Sequence, residues 1–225
     1  MKLFSPCLAF LFFIVAPVSR LLAQPDTASI TPSARIELFN GKGLAGWAFV
    51  SKSTNAPAES IWSVTNGVIT CLGRPNGYAR TLSSYRNYQL HAEWRFPAGP
   101  GNSGLFLHLN QPDQVWPLCF EAQLLSGSAG EVRLNGGAQL TSLADPKAKS
   151  VPHQQPSSER PPGEWNTCDI ACYNHTIAIR VNDVLQNEVT GTSVDSGAIG
   201  LQAEGKPVEF RNIYLAPLPA TAPIK

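Results

Sequence analysis

Strict two-residue alternation over residues 87–96 constrains this chain more than any other feature. Tyr88, Leu90, Ala92, Trp94 and Phe96 alternate with Asn87, Gln89, His91, Glu93 and Arg95, the pattern of a strand with one buried and one wet face. Two more runs follow. Leu105, Leu107 and Leu109 share a face and leave Asn102, Gly104, Phe106 and His108 on the other. Leu118, Phe120, Ala122 and Leu124 then oppose Cys119, Glu121, Gln123 and Leu125. The Pro-Gly segment 97–103 predicts a hairpin between the first two runs, and residues 110–117 turn the chain into the third.

Keeping polar residues opposite polar ones sets a register, because a slip of one residue would turn an apolar row outward. The register predicts Glu93 beside Phe106 and Phe106 beside Glu121. It also places Arg95 beside Gly104 and Gly104 beside Gln123. At about 4.8 Å per strand, Glu93 and Glu121 would lie roughly 10 Å apart on one face. Gly104 would leave a dent between Arg95 and Gln123. Two carboxylates, a guanidinium, an amide and a histidine around a dent describe a polar ligand site. The competing reading is a solvated sheet face with chance cross-strand ion pairs.

Residues 1–23 read as a secretory signal: Lys2, then the apolar run Leu8 to Val15, then Leu21-Leu22-Ala23 before Gln24. The run is too short to span a bilayer as a helix. A secreted or periplasmic protein is therefore expected. Removing Lys2 and Arg20 from 17 basic residues leaves 15 against 16 acidic ones. No basic field remains to hold nucleic acid or an anionic membrane. About 200 residues amount to one domain, expected over 36–217, with tails at 24–35 and 218–225.

Nineteen prolines and eighteen glycines, without a long segment of helical period, predict many short strands in a sandwich or barrel. Residues 36–39 form a short strand. Ile61-Trp62-Ser63-Val64 and Gly67-Val68-Ile69-Thr70-Cys71, joined by Thr65-Asn66, form a hairpin of the Asn-Gly class. Trp62 is a core residue or a sugar-stacking one. Residues 126–165 read as one long loop, and strands resume at 165–173, 176–182, 184–190, 196–204 and 207–215. Gln202 and Glu204 face away from the last apolar rows and border the polar face. Cys71, Cys119, Cys168 and Cys172 either pair in an oxidising compartment, with three connectivities open, or fill the core. Cys168 and Cys172, about 13 Å apart along a strand, do not pair with each other. No Cys-x-x-Cys spacing, dinucleotide fingerprint, P-loop or Gly-x-Ser-x-Gly elbow is present, so no organic cofactor is expected, and a divalent metal stays open.

Eight short pieces, in order, resemble the 3-keto-disaccharide hydrolase family. They are Leu38-Phe39-Asn40-Gly41-Lys42-Gly43-Leu44 with Gly46-Trp47; Trp62-x-Val64-x-x-Gly67-Val68; Glu93-Trp94-Arg95; Gly101-Asn102-Ser103-Gly104; Glu121-x-Gln123; Pro162-Gly163-Glu164-Trp165-Asn166; Ile199-Gly200-Leu201-Gln202; and Phe210-Arg211-Asn212-Ile213. The resemblance implies an all-β fold, a concanavalin A-like jelly-roll sandwich of two antiparallel sheets with sugar bound on one of them. It also implies a reaction on glycosides already oxidised at C3, the oxidation being supplied by a separate dehydrogenase. Leu107-His108 stands where the family usually carries an Arg or Tyr-Arg.

The chemistry follows from the residues as well. Ordinary glycosidases need two carboxyls. The run from Glu121 to Ser126 lacks the second one that sandwich glucanases carry nearby. A C3 ketone acidifies the C2 proton, so a single base suffices to form an enolate from which the C1 substituent is eliminated. Water then adds to the enone for net hydrolysis. Glu121 fits the base, Arg95 with Asn102 or Gln123 the enolate stabiliser, and His108 or Glu93 the leaving-group acid. Gln202 is expected to contact substrate. The alternatives are a non-catalytic sugar-binding module, which needs exposed rings more than a base, and an adhesive envelope protein.

Overall fold

The computed structural model describes residues 28–55 and 57–219, so the expected signal segment lies outside the described residues. Fifteen strands follow in order: β1 (Ile36–Glu37), β2 (Trp47–Ser51), β3 (Trp62–Thr65), β4 (Val68–Cys71), β5 (Gly77–Thr81), β6 (Tyr88–Arg95), β7 (Gly104–Asn110) and β8 (Leu118–Gln123). Then come β9 (Val132–Asn135), β10 (Ser150–Val151), β11 (Asn166–Tyr173), β12 (Thr176–Val181), β13 (Val184–Thr190), β14 (Ala198–Ala203) and β15 (Val208–Pro217). They form two antiparallel sheets. One runs β13-β12-β11-β6-β15-β4-β3 with β1 on β15, the other β10-β9-β8-β7-β14-β5-β2. This is the two-sheet sandwich expected. Among the described residues no helix is long and apolar enough to cross a membrane.

Alternation buries one face of each sheet against the other. Leu90, Trp94, Ile170 and Phe210 come from the first sheet and Leu105, Leu107, Phe120 and Leu201 from the second, all fully buried in one core. Each such side chain contributes about 1.5–3 kcal/mol by leaving water. Trp62 belongs to this core too, at 7% exposure, rather than to a sugar platform. Cys71, Cys168 and Cys172 are free thiols in the core, and Cys119 is free and buried beneath the opposite face. The Asn66-Gly67 turn, with φ of 52° and 76°, closes β3 onto β4 as the sequence predicts.

Three expectations are corrected. Strands β6 and β7 are not a hairpin: β6 lies between β11 and β15, whereas β7 lies between β8 and β14 in the other sheet. Segment 97–103 crosses the sandwich, so the apolar rows of β6 and β7 face each other across the core rather than lying side by side. Residues 126–165 are not a bare loop, because β9 pairs with β8 and β10 with β9. The segment before Ile36 is not wholly a loose tail, since Ile30 bridges to Tyr85.

Candidate active site

On the face of the second sheet that points away from the core, four adjacent strands build a polar hollow. Alternation sends Phe120, Ala122 and Leu124 inward, which puts Glu121 and Gln123 outward. By the same rule Val132 and Leu134 put Arg133 and Asn135 outward, and Ile199 and Leu201 put Gln202 outward. The expected register between β7 and β8 holds, with Phe106 opposite Glu121 and Gly104 opposite Gln123. Gly104 is the dent. A Cβ there would sit 2.4 Å from Oε1 of Glu121, so the carboxyl lies over the bare backbone. Phe106, packed edge-on to Tyr78 at 5.5 Å between centroids, floors the neighbouring ground. The resulting hollow measures about 260 Å³ and takes in Asn102, Trp116 and Glu204 at its rim.

Glu121 is the group with a distinctive chemistry. It is 3% exposed, and Nδ2 of Asn135 donates to its Oε2 at 2.7 Å. Burial pushes its pKa up to about 7, and the nearby Glu204 carboxyl pushes the same way. The Asn135 hydrogen bond, the Arg133 charge and the Gln202 amide hold it from rising further. A carboxyl poised there is suited to general-base work near neutral pH. Three polar atoms around it lack partners: Oδ1 of Asn102, Oε1 of Gln202 and Nε of Arg133. Buried polar groups are seldom left unpaired, so three in one hollow mark a place for a polar ligand. The amide oxygen of Gln123 already accepts from the backbone N–H groups of Leu124 and Leu125, both at 2.9 Å, which leaves its NH2 as a donor.

A pH dependence follows. In the base role Glu121 must be ionised to accept a proton, so on a substrate whose leaving group departs without a proton kcat/KM is expected to rise with pH, tenfold per unit, and level off above about 7. A pH–rate profile on the wild type checks this; a limb breaking near the usual carboxylate value instead would contradict it.

Of the residues singled out from sequence, Asn102, Glu121, Gln123 and Gln202 come together here. Glu93, Arg95 and His108 do not. Glu93 and Arg95 lie on the outer face of the other sheet. There Glu93 accepts from Arg211 and Asn212, and Arg95 pairs with Glu209 at 2.6 Å. Burial raises the Glu93 pKa, but those hydrogen bonds and the Arg211 charge bring it below the ordinary value. His108 fails for a different reason. β7 carries one extra residue relative to β14 between Phe106 and Leu109, and His108 takes φ of 51° at that bulge. The parity of the strand flips, so Leu109 goes outward and the imidazole goes inward against Tyr88, 5.8 Å between centroids. Buried there, with its Nδ1 on the Val194 carbonyl, its pKa drops to about 4. It is a neutral core residue.

Arg133, Asn135 and Trp116 were not singled out from sequence. The signal for the first two was present, since Val132-Arg133-Leu134-Asn135 alternates over the length of a short strand. Trp116 sits on the loop after β7 at 43% exposure. That loop is tied down by Asp113, which accepts from Arg80 at 2.8 and 2.7 Å and from the Tyr78 hydroxyl at 3.0 Å. Among the described residues no three His, Cys, Asp or Glu side chains are gathered as a metal-ligand set.

A family model described as a 3-keto-alpha-glucoside-1,2-lyase-like domain matches residues 34–216. Among solved structures, the fold is similar to a candidate glycosyl hydrolase from Parabacteroides distasonis, 21% identical, covering 83% of this chain and 94% of that one with a TM-score of 0.63. It is also similar to the carbohydrate-binding module CBM66 from Bacillus subtilis, 10% identical, covering 75% and 93% with a TM-score of 0.54. The Bacillus licheniformis β-glucanase is 13% identical and covers 81% and 97% with a TM-score of 0.53. The sandwich therefore serves enzymes and binding modules alike. A comparison with curated proteins returns no match.

Proposed function

The chain belongs to the 3-keto-alpha-glucoside-1,2-lyase-like family, and from that premise we propose that Glu121 removes the C2 proton of a 3-keto-glycoside bound in the hollow on the second sheet. The protein is a carbohydrate-active enzyme, and its chemistry is β-elimination followed by hydration. The C2–H electrons move into a C2–C3 double bond and leave the C3 oxygen as an enolate. The enolate then collapses, the C1–O bond breaks, and an enone and an alcohol result. Addition of water at C1 completes net hydrolysis. The observation that carries this reading is one buried carboxyl with a pKa of about 7 among unpartnered polar groups.

Donors aimed at developing charge stabilise it best when fixed in advance. The NH2 of Gln123 and the Arg133 guanidinium are the donors for the enolate oxygen, with Asn102 and Gln202 accepting from ring hydroxyls. They replace Arg95 in that role. Export by the N-terminal segment and oxidation at C3 by a separate enzyme complete the proposal, since the sequence carries no dinucleotide fingerprint. Incubation of the purified protein with 3-keto-glycosides beside their unoxidised parents tests the reading. Cleavage of the keto sugars alone is expected. Binding of sugars without cleavage of either would make the chain a binding module.

Trp116 offers its exposed ring at the rim as a platform for a sugar face. Trp116→Ala is expected to raise KM several-fold, the equivalent of about 0.5–1.5 kcal/mol of lost stacking, while kcat stays within about twofold. Steady-state kinetics check it, and an unchanged KM would remove the ring from substrate binding.

A further inference from the structure

A second hollow, about 550 Å³, adjoins the first and shares Asn102 and Glu204 with it. Its other walls are Lys52, Arg74, Pro75, Asn76 and Gly205, polar or backbone apart from the proline ring. Glu204 stands at the junction. It follows directly on β14 and is bridged to Asn102 in an antiparallel pair. Beside that bridge the Ser103 hydroxyl donates to the Gln202 carbonyl at 2.7 Å, and Nε of Arg74 donates to the Gly205 carbonyl at 3.1 Å. The backbone on both sides of Glu204 is therefore fixed. Among the described residues its carboxyl has no ion-pair or hydrogen-bond partner, only the more distant charges of Arg133 and Arg74.

We propose that Glu204 is the leaving-group acid, standing where the scissile C1–O bond crosses between the two chambers. This rests on the elimination reading above. When Glu121 takes the C2 proton and the C1–O bond breaks, the bonding pair goes to the glycosidic oxygen, and Glu204 gives that oxygen its proton. The alcohol leaves Glu204 ionised and Glu121 protonated. Hydration then runs the same two groups backward. Glu204 takes a proton from water as its oxygen bonds to C1, and Glu121 returns a proton to C2. Both carboxyls are restored and no other acid or base is required. Burial raises the Glu204 pKa against the pull of Arg133 and Arg74, the direction a proton donor needs. The missing second carboxyl of the β8 strand is thus supplied by the residue that follows β14.

The test compares Glu204→Gln with wild type on two 3-keto-glucosides, one with a nitrophenyl leaving group, which departs without a proton, and one with a glucosyl leaving group. In the first turnover, read as release of the leaving group before the enone is hydrated, the variant is expected to lose about 10²-fold or more on the glucosyl substrate and to stay within a few-fold of wild type on the nitrophenyl one. Equal losses on both substrates, or no loss on either, would overturn the assignment. Inactivity of the wild type on every keto substrate would instead remove the elimination reading, and this assignment with it.

Discussion

Glu121→Gln is expected to lower turnover by about 10²–10⁴-fold, the usual cost of losing a positioned base, while sugar binding persists. Glutamine keeps the shape, and its amide oxygen can still accept from Asn135, which now donates to Oε2 at 2.7 Å. Only the basicity goes. The same change has a stability signature of opposite sign. Because the folded pKa of Glu121 is raised to about 7 above its ordinary value, the folded state binds more protons than the unfolded one between those values. Stability from this group therefore falls as pH rises through that window, and above it the buried charge is a net cost. The glutamine variant escapes that cost, so its Tm at pH 8 is expected to equal or exceed that of wild type. A folded, sugar-binding and nearly inactive variant separates chemistry from structure. Near-normal turnover would remove Glu121 from the base role.

Gly104→Ala is expected to be almost as damaging through position alone. The backbone at Gly104 is ordinary strand, so alanine is not strained there by its own dihedrals. Its methyl carbon, however, would lie 2.4 Å from Oε1, 2.6 Å from Cγ and 2.8 Å from Cδ of Glu121. The pairing of Gly104 with Gln123 and of Phe106 with Glu121 fixes both strands, so the carboxyl must move. A displacement of about 1 Å at a reacting group can cost roughly 10²-fold in rate, against an overpacking cost to stability of about 1–3 kcal/mol. Kinetics and thermal unfolding on the same sample check both numbers. Full activity in this variant would mean that the carboxyl position is not critical.

The sequence carried the faces of the strands well and their neighbours poorly. Alternation reports which side of a strand is buried, and on that basis Glu121, Gln123 and Gln202 were legible as outward-facing. Alternation does not report which strand lies alongside. Glu93 and Glu121 therefore looked like residues of one site, whereas the chain crosses the sandwich between them. The charges of β6 are answered by β15, through Arg211 and Glu209. His108 fell to a different cause, since a single bulge reverses parity and leaves no mark in composition. Arg133 and Asn135 were hidden by length. Four residues between glycine-rich turns give too short an alternation to stand out from a loop, although β8 needed a partner on that side. Glu204 was legible as facing the polar side, but its position between two hollows exists only in three dimensions.

The central claim is that cleavage proceeds through loss of the C2 proton to Glu121. The most direct measurement is the isotopic content of the 3-keto sugar released from a 3-keto-α-glucoside in deuterium oxide, read by mass spectrometry against an enzyme-free control. The leaving group must depart and water must enter before a proton returns to C2, so the Glu121 carboxyl has time to exchange with solvent. One deuterium at C2 per bond cleaved is the expected result. Cleavage of the C1–O bond with the original hydrogen kept at C2 would contradict the account, because the substituent would then have been displaced directly at C1.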